Sequence, residues 1–174
     1  LDSLLETYKP THLYNLASAS SVSESYANPT QSLQINLEFV SLLIDRIGEY
    51  RSNTKEDIYF LQASTSEMFG PAQQNLITED TPHDPRSPYA EHKSLAHKLC
   101  VNARTTKDLK IGTVILFNHE SPRRGETFVT RKITRGLANV AQGLEKCIFL
   151  GNLNALRDWG HAKDYIEGMY LILQ

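Results

Sequence analysis

The sequence predicts an α/β protein built on an open parallel sheet with helices on both faces. Three observations carry this expectation. Short apolar runs of strand length recur at residues 12–16, 58–62 and 111–117. Segments with apolar residues three and four apart separate them, long enough to be the crossover helices that parallel strands require. Polar residues gather just after each run, where an open α/β sheet places its reactive groups.

The elements follow in order. Leu1, Leu4, Leu5 and Tyr8 have the spacing of an amphipathic helix, which the polar break at Lys9, Pro10 and Thr11 ends. The run 12–16 then reads as a buried strand and 17–29 as a loop. Leu33, Leu37, Val40, Ile44 and Ile47 mark a long helix with one buried stripe. Residues 58–62 form the second strand. Pro71, Pro82, Pro85 and Pro88 make the next stretch a loop, because each ring removes a backbone donor and biases its predecessor away from helical geometry. Ser87 is placed to cap and Pro88 to occupy the first turn of a helix over 88–105, and the strand 111–117 follows. Beyond Arg124 the pattern predicts a helix over 128–142, a short strand over 147–150 and a final helix from about His161. Residues 1–124 then form one domain, and 125–174 part of a smaller lobe interleaved with returning elements of the first.

Composition narrows the function classes. The 174 residues are 40% apolar and 22% charged, an ordinary globular balance. With 18 Lys and Arg against 20 Asp and Glu, the net charge of −2 gives no general attraction to nucleic acid or anionic membrane. No run of eighteen apolar residues occurs and no signal-peptide pattern opens the chain, so a cytoplasmic protein is expected. Cys100 and Cys147 lie far apart in apolar sequence and read as reduced core thiols. His92 and His97 are five positions apart and do not share a helical face, so no metal site is expected.

The chemistry-bearing residues fall into three clusters: Asn15 with Ser18 to Ser21, then Ser64, Thr65, Ser66 and Glu67, then Asn118, His119, Glu120, Ser121, Arg123 and Arg124. Each alone also fits a solvated loop; their common placement after strands favours a site. Tyr89 and Lys93 project from one face of the predicted helix, one turn apart. An ammonium there favours a phenolate, although a phenol that ionises near neutrality needs a shift of about three units, roughly 4 kcal/mol. The same spacing also fits a core tyrosine beside a solvated lysine. Glu67, two residues past Thr65, is placed to remove a proton alpha to a ketone while the threonine hydrogen-bonds the substrate; a surface glutamate in the turn before Gly70 fits equally. Arg123, Arg124, Arg131, Lys132, Arg135 and Arg157 are the basic concentration of the chain and suit a diphosphate better than a nucleic acid. The nine glycines are too dispersed for a GxGxxG turn or a P-loop. Together with a first residue, Leu1, that is not an initiator methionine, this predicts an internal fragment lacking its first βαβ unit.

Four segments carry a family resemblance: QASTSEMFG (62–70), PRSPYAEHK (85–93), FNHESPRRGETFVTRK (117–132) and LGNLNALRDWGHAKDY (150–165). They resemble the GDP-mannose 4,6-dehydratases, extended short-chain dehydrogenases/reductases, over essentially residues 13–174. The Tyr-x-x-x-Lys part belongs to the whole superfamily, whereas the Asn-His-Glu-Ser-Pro-Arg-Arg-Gly segment is specific. The resemblance implies an incomplete Rossmann-like domain with part of a small C-terminal substrate lobe, a lyase activity and NADP as cofactor. It implies Thr65, Glu67, Tyr89 and Lys93 as catalytic residues. Leu16, Ala17, Ser18, Ala19, Ser20, Lys93, His119 and Arg124 are implied at the cofactor, and Asn118, Lys132 and Arg157 at the GDP-sugar. It further implies GDP-mannose or a related GDP-sugar as substrate, a route toward GDP-fucose and other deoxy sugars, and a homo-oligomer, with a tetramer formed through the arginine loop. No nucleic-acid or membrane partner is expected. Two positions depart from the family: the first strand end lacks the usual Gly-Ala-Gln type sequence, and Gln31 stands where a cofactor-contacting tyrosine is expected. The alternatives are another nucleotide-sugar dehydratase or epimerase of the same family, and a truncated, catalytically inert paralogue.

Overall fold

Alternation along one central strand organises the first half of the chain. In the computed structural model, which describes residues 1–71 and 76–174, Phe60 and Leu61 are both fully buried, yet on opposite faces of the sheet. A strand apolar on both sides needs helices on both sides. Strand β1 (His12–Asn15) pairs in parallel with β2 (Tyr59–Thr65), His12 opposite Tyr59, and β2 pairs in parallel with β3 (Ile111–Leu116), Phe60 opposite Ile111. The sheet order is β1-β2-β3.

Phe60 and Ile111 pack with Val40, Leu43, Ile44 and Ile47 of α4 (Phe39–Thr54) and with Ala96, Cys100 and Ala103 of α5 (Pro88–Thr106). Leu5 of α1 (Asp2–Tyr8) joins this cluster; Leu1, Leu4 and Tyr8 stay exposed, so the first amphipathic stripe buries less than its spacing predicts. The opposite face is covered by Met169 and Leu173, at the end of α7 (Ala162–Ile172), against Leu61 and Val114. One crossover helix starts, and the other stops, for local reasons. Ser87 accepts the Ala90 N–H with Pro88 in the first turn of α5, and Lys55, at φ 65°, ends α4 in the left-handed conformation.

Several expectations need correction. The predicted loop 17–29 contains a short helix, α2 (Val22–Ala27), whose start is capped by the Ser21 hydroxyl and whose single buried residue is Ser25. A helix that buries a serine shows no apolar period. The predicted long helix is compound: α3 (Pro29–Leu33), a π-helical turn (Gln34–Glu38) and then α4. The second strand runs to Thr65, and its polar end, Gln62, Ser64 and Thr65, is buried. No strand forms over 147–150. Ile148 packs instead against Gly136 of α6 (Val129–Ala141), Phe149 is exposed, and Cys147, predicted to be a core thiol, is exposed as well. The strands found beyond β3 are β4 (Asn118–Glu120) and β5 (Trp159–His161), paired in parallel with Asn118 opposite Trp159. Of the proline-bearing loop, residues 72–75 lie outside the described residues. Among those described, no helix is long and apolar enough to cross a membrane.

The chain divides into two compact units, Leu1–Leu116 with Met169–Gln174, and Phe117–Gly168. In the first, a 3₁₀ turn (Ser66–Phe69) follows β2 and ends at Gly70, with φ 75°. A side chain there would meet the backbone carbonyl of Asp84, whose own N–H bonds to Met68 O at 2.9 Å. Gly143 has a similar φ of 74° with open space around it. Gly70→Ala is therefore expected to destabilise by about 2 kcal/mol or more, strain and clash together, and Gly143→Ala by about 1 kcal/mol from backbone strain alone. Urea denaturation of the two variants beside the parent checks the ordering.

Candidate active site

Burial and polarity coincide at the carboxyl ends of β1 and β2. Asn15, at 5% exposure, donates from Nδ2 to Gln62 Oε1 at 2.8 Å, while its own Oδ1 accepts the Ala17 N–H at 3.2 Å. That pairing turns the chain out of the sheet, leaving Leu16 half exposed. The following residues are held from the side. Ser18 Oγ donates to Asn36 Oδ1 at 2.8 Å, and Asn36 Nδ2 donates to Ala19 O at 3.2 Å. Ser20 is exposed.

From β2, Ser64 Oγ lies 2.9 Å from His97 Nδ1, and Thr65 Oγ1 accepts the Glu67 N–H at 3.3 Å, capping the 3₁₀ turn. Burial, then His83, lowers the His97 pKa; His83 is itself lowered by burial and stacks edge-on against Phe69.

Tyr89 and Lys93 lie on the buried face of α5, at 7% and 3% exposure. The Tyr89 N–H donates to Ser25 Oγ at 3.2 Å, which ties α5 to α2. Burial raises the phenol pKa above its ordinary value; the Thr65 and Ser18 hydroxyls beside it pull it back, and the Glu67 carboxylate pushes it up. Glu67 is thus near enough to Tyr89 to act on it. Burial also pushes Lys93 down to about 8, and its ammonium donates to Ala63 O at 2.5 Å. Cys100, one of the core residues on the same helix, is pushed up to about 12 by burial and is a poor nucleophile.

The first unit therefore brings together Ser18, Thr65, Glu67, Tyr89 and Lys93. The second unit holds the remaining predicted residues. Asn118 and His119 lie in β4, where His119 Nδ1 is 2.9 Å from Phe117 O and its ring stacks on Tyr165 at 5.3 Å. Gly160 leaves the room that the Tyr165 ring occupies. Arg124 lies over the Phe128 ring at 3.8 Å and pairs with Glu120 at 3.2 Å, and Arg135 pairs with Glu126. The basic concentration is thus partly neutralised within its own unit. Lys132 and Arg157 are exposed, and Arg157 donates only to the neighbouring Leu156 carbonyl among the described contacts.

Sequence reasoning missed Gln62, Ser32, Asn36 and His92, all part of the polar framework. Asn36 Nδ2 donates to Ser32 Oγ at 3.2 Å, and Ser32 Oγ lies 3.0 Å from His92 Nδ1. The available signal was polarity on an apolar stripe: Ser32 and Asn36 precede Val40 at four-residue intervals and are buried like it.

Lys93 has a stability consequence whose sign is fixed. Between pH 8 and 10.5 the unfolded chain holds a proton that the folded chain does not, so stability rises with pH through this window. Below it the full cost of burying the ammonium applies, on the order of 3 kcal/mol. Lys93→Met removes that cost and one hydrogen bond worth about 1 kcal/mol, so at pH 7 the variant is expected to be more stable by about 2 kcal/mol. The gap should narrow as pH rises from 8 toward 10, read by denaturant titration at each pH.

A model of the GDP-mannose 4,6 dehydratase family matches residues 1–174. GDP-mannose 4,6-dehydratase of Vibrio cholerae is 48% identical over 100% of this chain and 46% of its own length. GDP-mannose 4,6 dehydratase 1 of Arabidopsis thaliana is 45% identical over 98% of this chain and 47% of its own. The chain spans about half the length of the curated relatives it matches. Among solved structures, RMD from Pseudomonas aeruginosa complexed with NADPH superposes with a TM-score of 0.80 at 26% identity, covering 94% of this chain and 56% of that one. DesIV of Streptomyces venezuelae, a dTDP-glucose 4,6-dehydratase with NAD and DAU bound, gives 0.83 at 20% identity, covering 99% and 52%, a likeness of fold. The parallel sheet is Rossmann-like, and the chain belongs to the GDP-mannose 4,6-dehydratase family.

Proposed function

We propose that this chain carries the catalytic groups of an NADP-dependent GDP-mannose 4,6-dehydratase, which forms GDP-4-dehydro-6-deoxy-mannose. The observation that carries this reading is the convergence of a buried tyrosine, a buried lysine, a hydroxyl and a carboxylate at two adjacent strand ends. A simple oxidoreductase has no use for Glu67 beside Tyr89. Water elimination does, because a proton alpha to the transient ketone must be removed.

The residues present fit a nicotinamide dinucleotide. The Lys93 ammonium uses one of its three donors on Ala63 among the described residues, leaving two suited to ribose hydroxyls. Residues 16–20 form a loop beyond the carboxyl edge of a parallel sheet, where such sheets bind nucleotides. When bound, a nicotinamide dinucleotide held by Lys93 and residues 16–20 would supply hydride acceptance at C4 of the sugar and hydride return at C6. Tyr89 accepts the C4 hydroxyl proton. Thr65 donates a hydrogen bond at C4 and holds the sugar oxygen beside the phenol. Glu67 takes the C5 proton and returns a proton to the departing C6 hydroxyl, so one carboxyl group serves the whole elimination. His119 and Arg124 support the cofactor and an oligomer contact, and Asn118, Lys132 and Arg157 the GDP-sugar.

The test is turnover of GDP-mannose with NADP in deuterated water by the polypeptide that carries this chain. The expected product is a 4-keto-6-deoxy sugar with deuterium at C5. Glu67→Gln should keep NADP binding and lose water elimination by about 10²–10⁴-fold, and Tyr89→Phe should lose the first oxidation by a similar factor. Turnover of a different nucleotide sugar, with none of GDP-mannose, would reassign the substrate. Failure to bind NADP at all would favour an inert paralogue.

A further inference from the structure

Two histidines meet near the carboxyl end of β2. His83, in the proline-bearing loop, and His97, on α5, lie edge to face with ring centroids 5.5 Å apart and planes at 66°. Each ring is anchored by a buried serine: His83 Nδ1 lies 2.8 Å from Ser94 Oγ, and His97 Nδ1 lies 2.9 Å from Ser64 Oγ. His83 also meets the Phe69 ring edge-on at 5.4 Å, and the next residue, Asp84, donates its N–H to Met68 O at 2.9 Å. The pair therefore stands at the junction of three segments: α5, the end of β2 that carries Thr65, and the 3₁₀ turn that carries Glu67.

The anchors themselves do not depend on charge. A serine hydroxyl donates to an unprotonated Nδ1 and accepts from a protonated one, so each hydrogen bond survives protonation by the turning of one hydroxyl. The pairing of two charges does not survive. Two cations at 5.5 Å in a half-buried site repel strongly, and the surroundings offer no relief. Lys98 of α5 adds like charge at both rings and Arg104 of α5 at His97. Lys93, one turn before His97, directs its ammonium at Ala63 O, and Asp84 pairs its carboxylate with Arg86. Ser64 of β2 and Phe69 of the 3₁₀ turn are uncharged, and Glu67 of that turn acts on Tyr89 rather than on either imidazole. We propose that His83 and His97 are positioning residues that form a proton-sensitive clamp: while the pair bears at most one proton it holds the loop before α5, and with it the turn carrying Glu67, against α5, and a second proton releases the loop.

The yielding side is the loop. His97 is fixed in a helix whose Ala96 and Cys100 belong to the core, whereas His83 lies outside any helix or strand. Burial makes both rings bind protons less readily in the folded chain, so below the ordinary histidine value of 6.5 the unfolded chain holds more protons and stability falls as pH falls. Local opening relieves that cost without global unfolding. The value of the clamp for catalysis rests on the role proposed for Glu67, whereas the opening does not and is measurable without substrate.

The experiment uses the polypeptide that carries this chain, with isotope-labelled histidine, and follows the His83 and His97 rings by NMR while amide exchange reports on the loop. The two rings are expected to titrate in separate steps, and replacing the ring that protonates first with phenylalanine should raise the proton affinity of the other by about tenfold or more. The Asp84 amide, bonded to Met68 O, should lose about tenfold or more of its exchange protection as the second ring protonates. His97→Gln keeps an amide for Ser64 and cannot take a proton, so its Asp84 protection should stay level over the same range. Should that variant not fold, His83→Phe, which keeps an aromatic ring against Phe69, takes its place. Rings that titrate without regard to each other overturn the proposal. So does an equal acid loss of protection in the parent and in His97→Gln, or a parent that stays level while the variant loses protection at every pH alike, which a purely structural role would produce. A polypeptide whose clamp opens as expected but makes no 4-keto product would refute the dehydratase reading alone, whereas turnover of GDP-mannose without the opening would refute the clamp alone.

Discussion

Two titratable side chains held out of water on one helix face constrain the rest of the first unit. Tyr89 and Lys93 sit at 7% and 3% exposure, and burial drives their proton affinities apart, the phenol up and the ammonium down to about 8. At neutral pH the lysine's shift is a free-energy cost that the fold must meet elsewhere, whereas the phenol is uncharged in the folded and the unfolded chain alike. The apolar packing of Phe60, Ile44, Ile47 and Cys100 against the remainder of α5 supplies the means to hold that face down. The benefit is chemical. An ammonium whose affinity lies near neutrality responds to small changes in surrounding charge, which a solvated lysine does not.

The polar framework around this pair follows from the same constraint. Buried polar groups need partners, and at these strand ends backbone groups supply some and other side chains the rest. Asn15 with Gln62, Ser64 with His97, and Ser18 with Asn36 each join two elements through one hydrogen bond. Such bonds fix direction as well as distance, because carbonyl oxygens accept and N–H groups donate. In that way the loop after β1, the end of β2 and the π-helical turn are tied together around the phenol, with no disulfide and no cluster of metal-ligating side chains among the described residues.

How far this was legible in the sequence depends on what each residue contacts. The three principal strands and α5 were readable because their apolar residues face a continuous core and the Ser87-Pro88 start is local chemistry. The placement of Thr65 and Glu67 at a strand end and of Tyr89 and Lys93 on one helix face was readable from spacing. The helix α2 was not, since it buries a serine. The 147–150 run misled because four apolar residues look alike whether they pair in a sheet or, like Ile148, press on a helix glycine. The strands β4 and β5 are three residues each and form through pairing across forty intervening positions, which no local pattern records. Asn36 and Ser32 showed only as an interruption of the stripe, and the π-helical turn that makes sense of them is a backbone irregularity with no residue signature of its own.

The closeness of Glu67 to Tyr89 gives the proposed reaction an order. While Glu67 is ionised, its charge opposes formation of a phenolate beside it. Once Glu67 has taken the C5 proton that opposition is gone, and the phenol's affinity for its own proton falls. In the proposed reaction, a tyrosine that has received the C4 hydroxyl proton is favoured in that state while the carboxylate beside it is charged. That repulsion favours the proton on Tyr89 during the interval when the C4 ketone of the proposed reaction must persist, because a proton returned early would reverse the oxidation before water could leave.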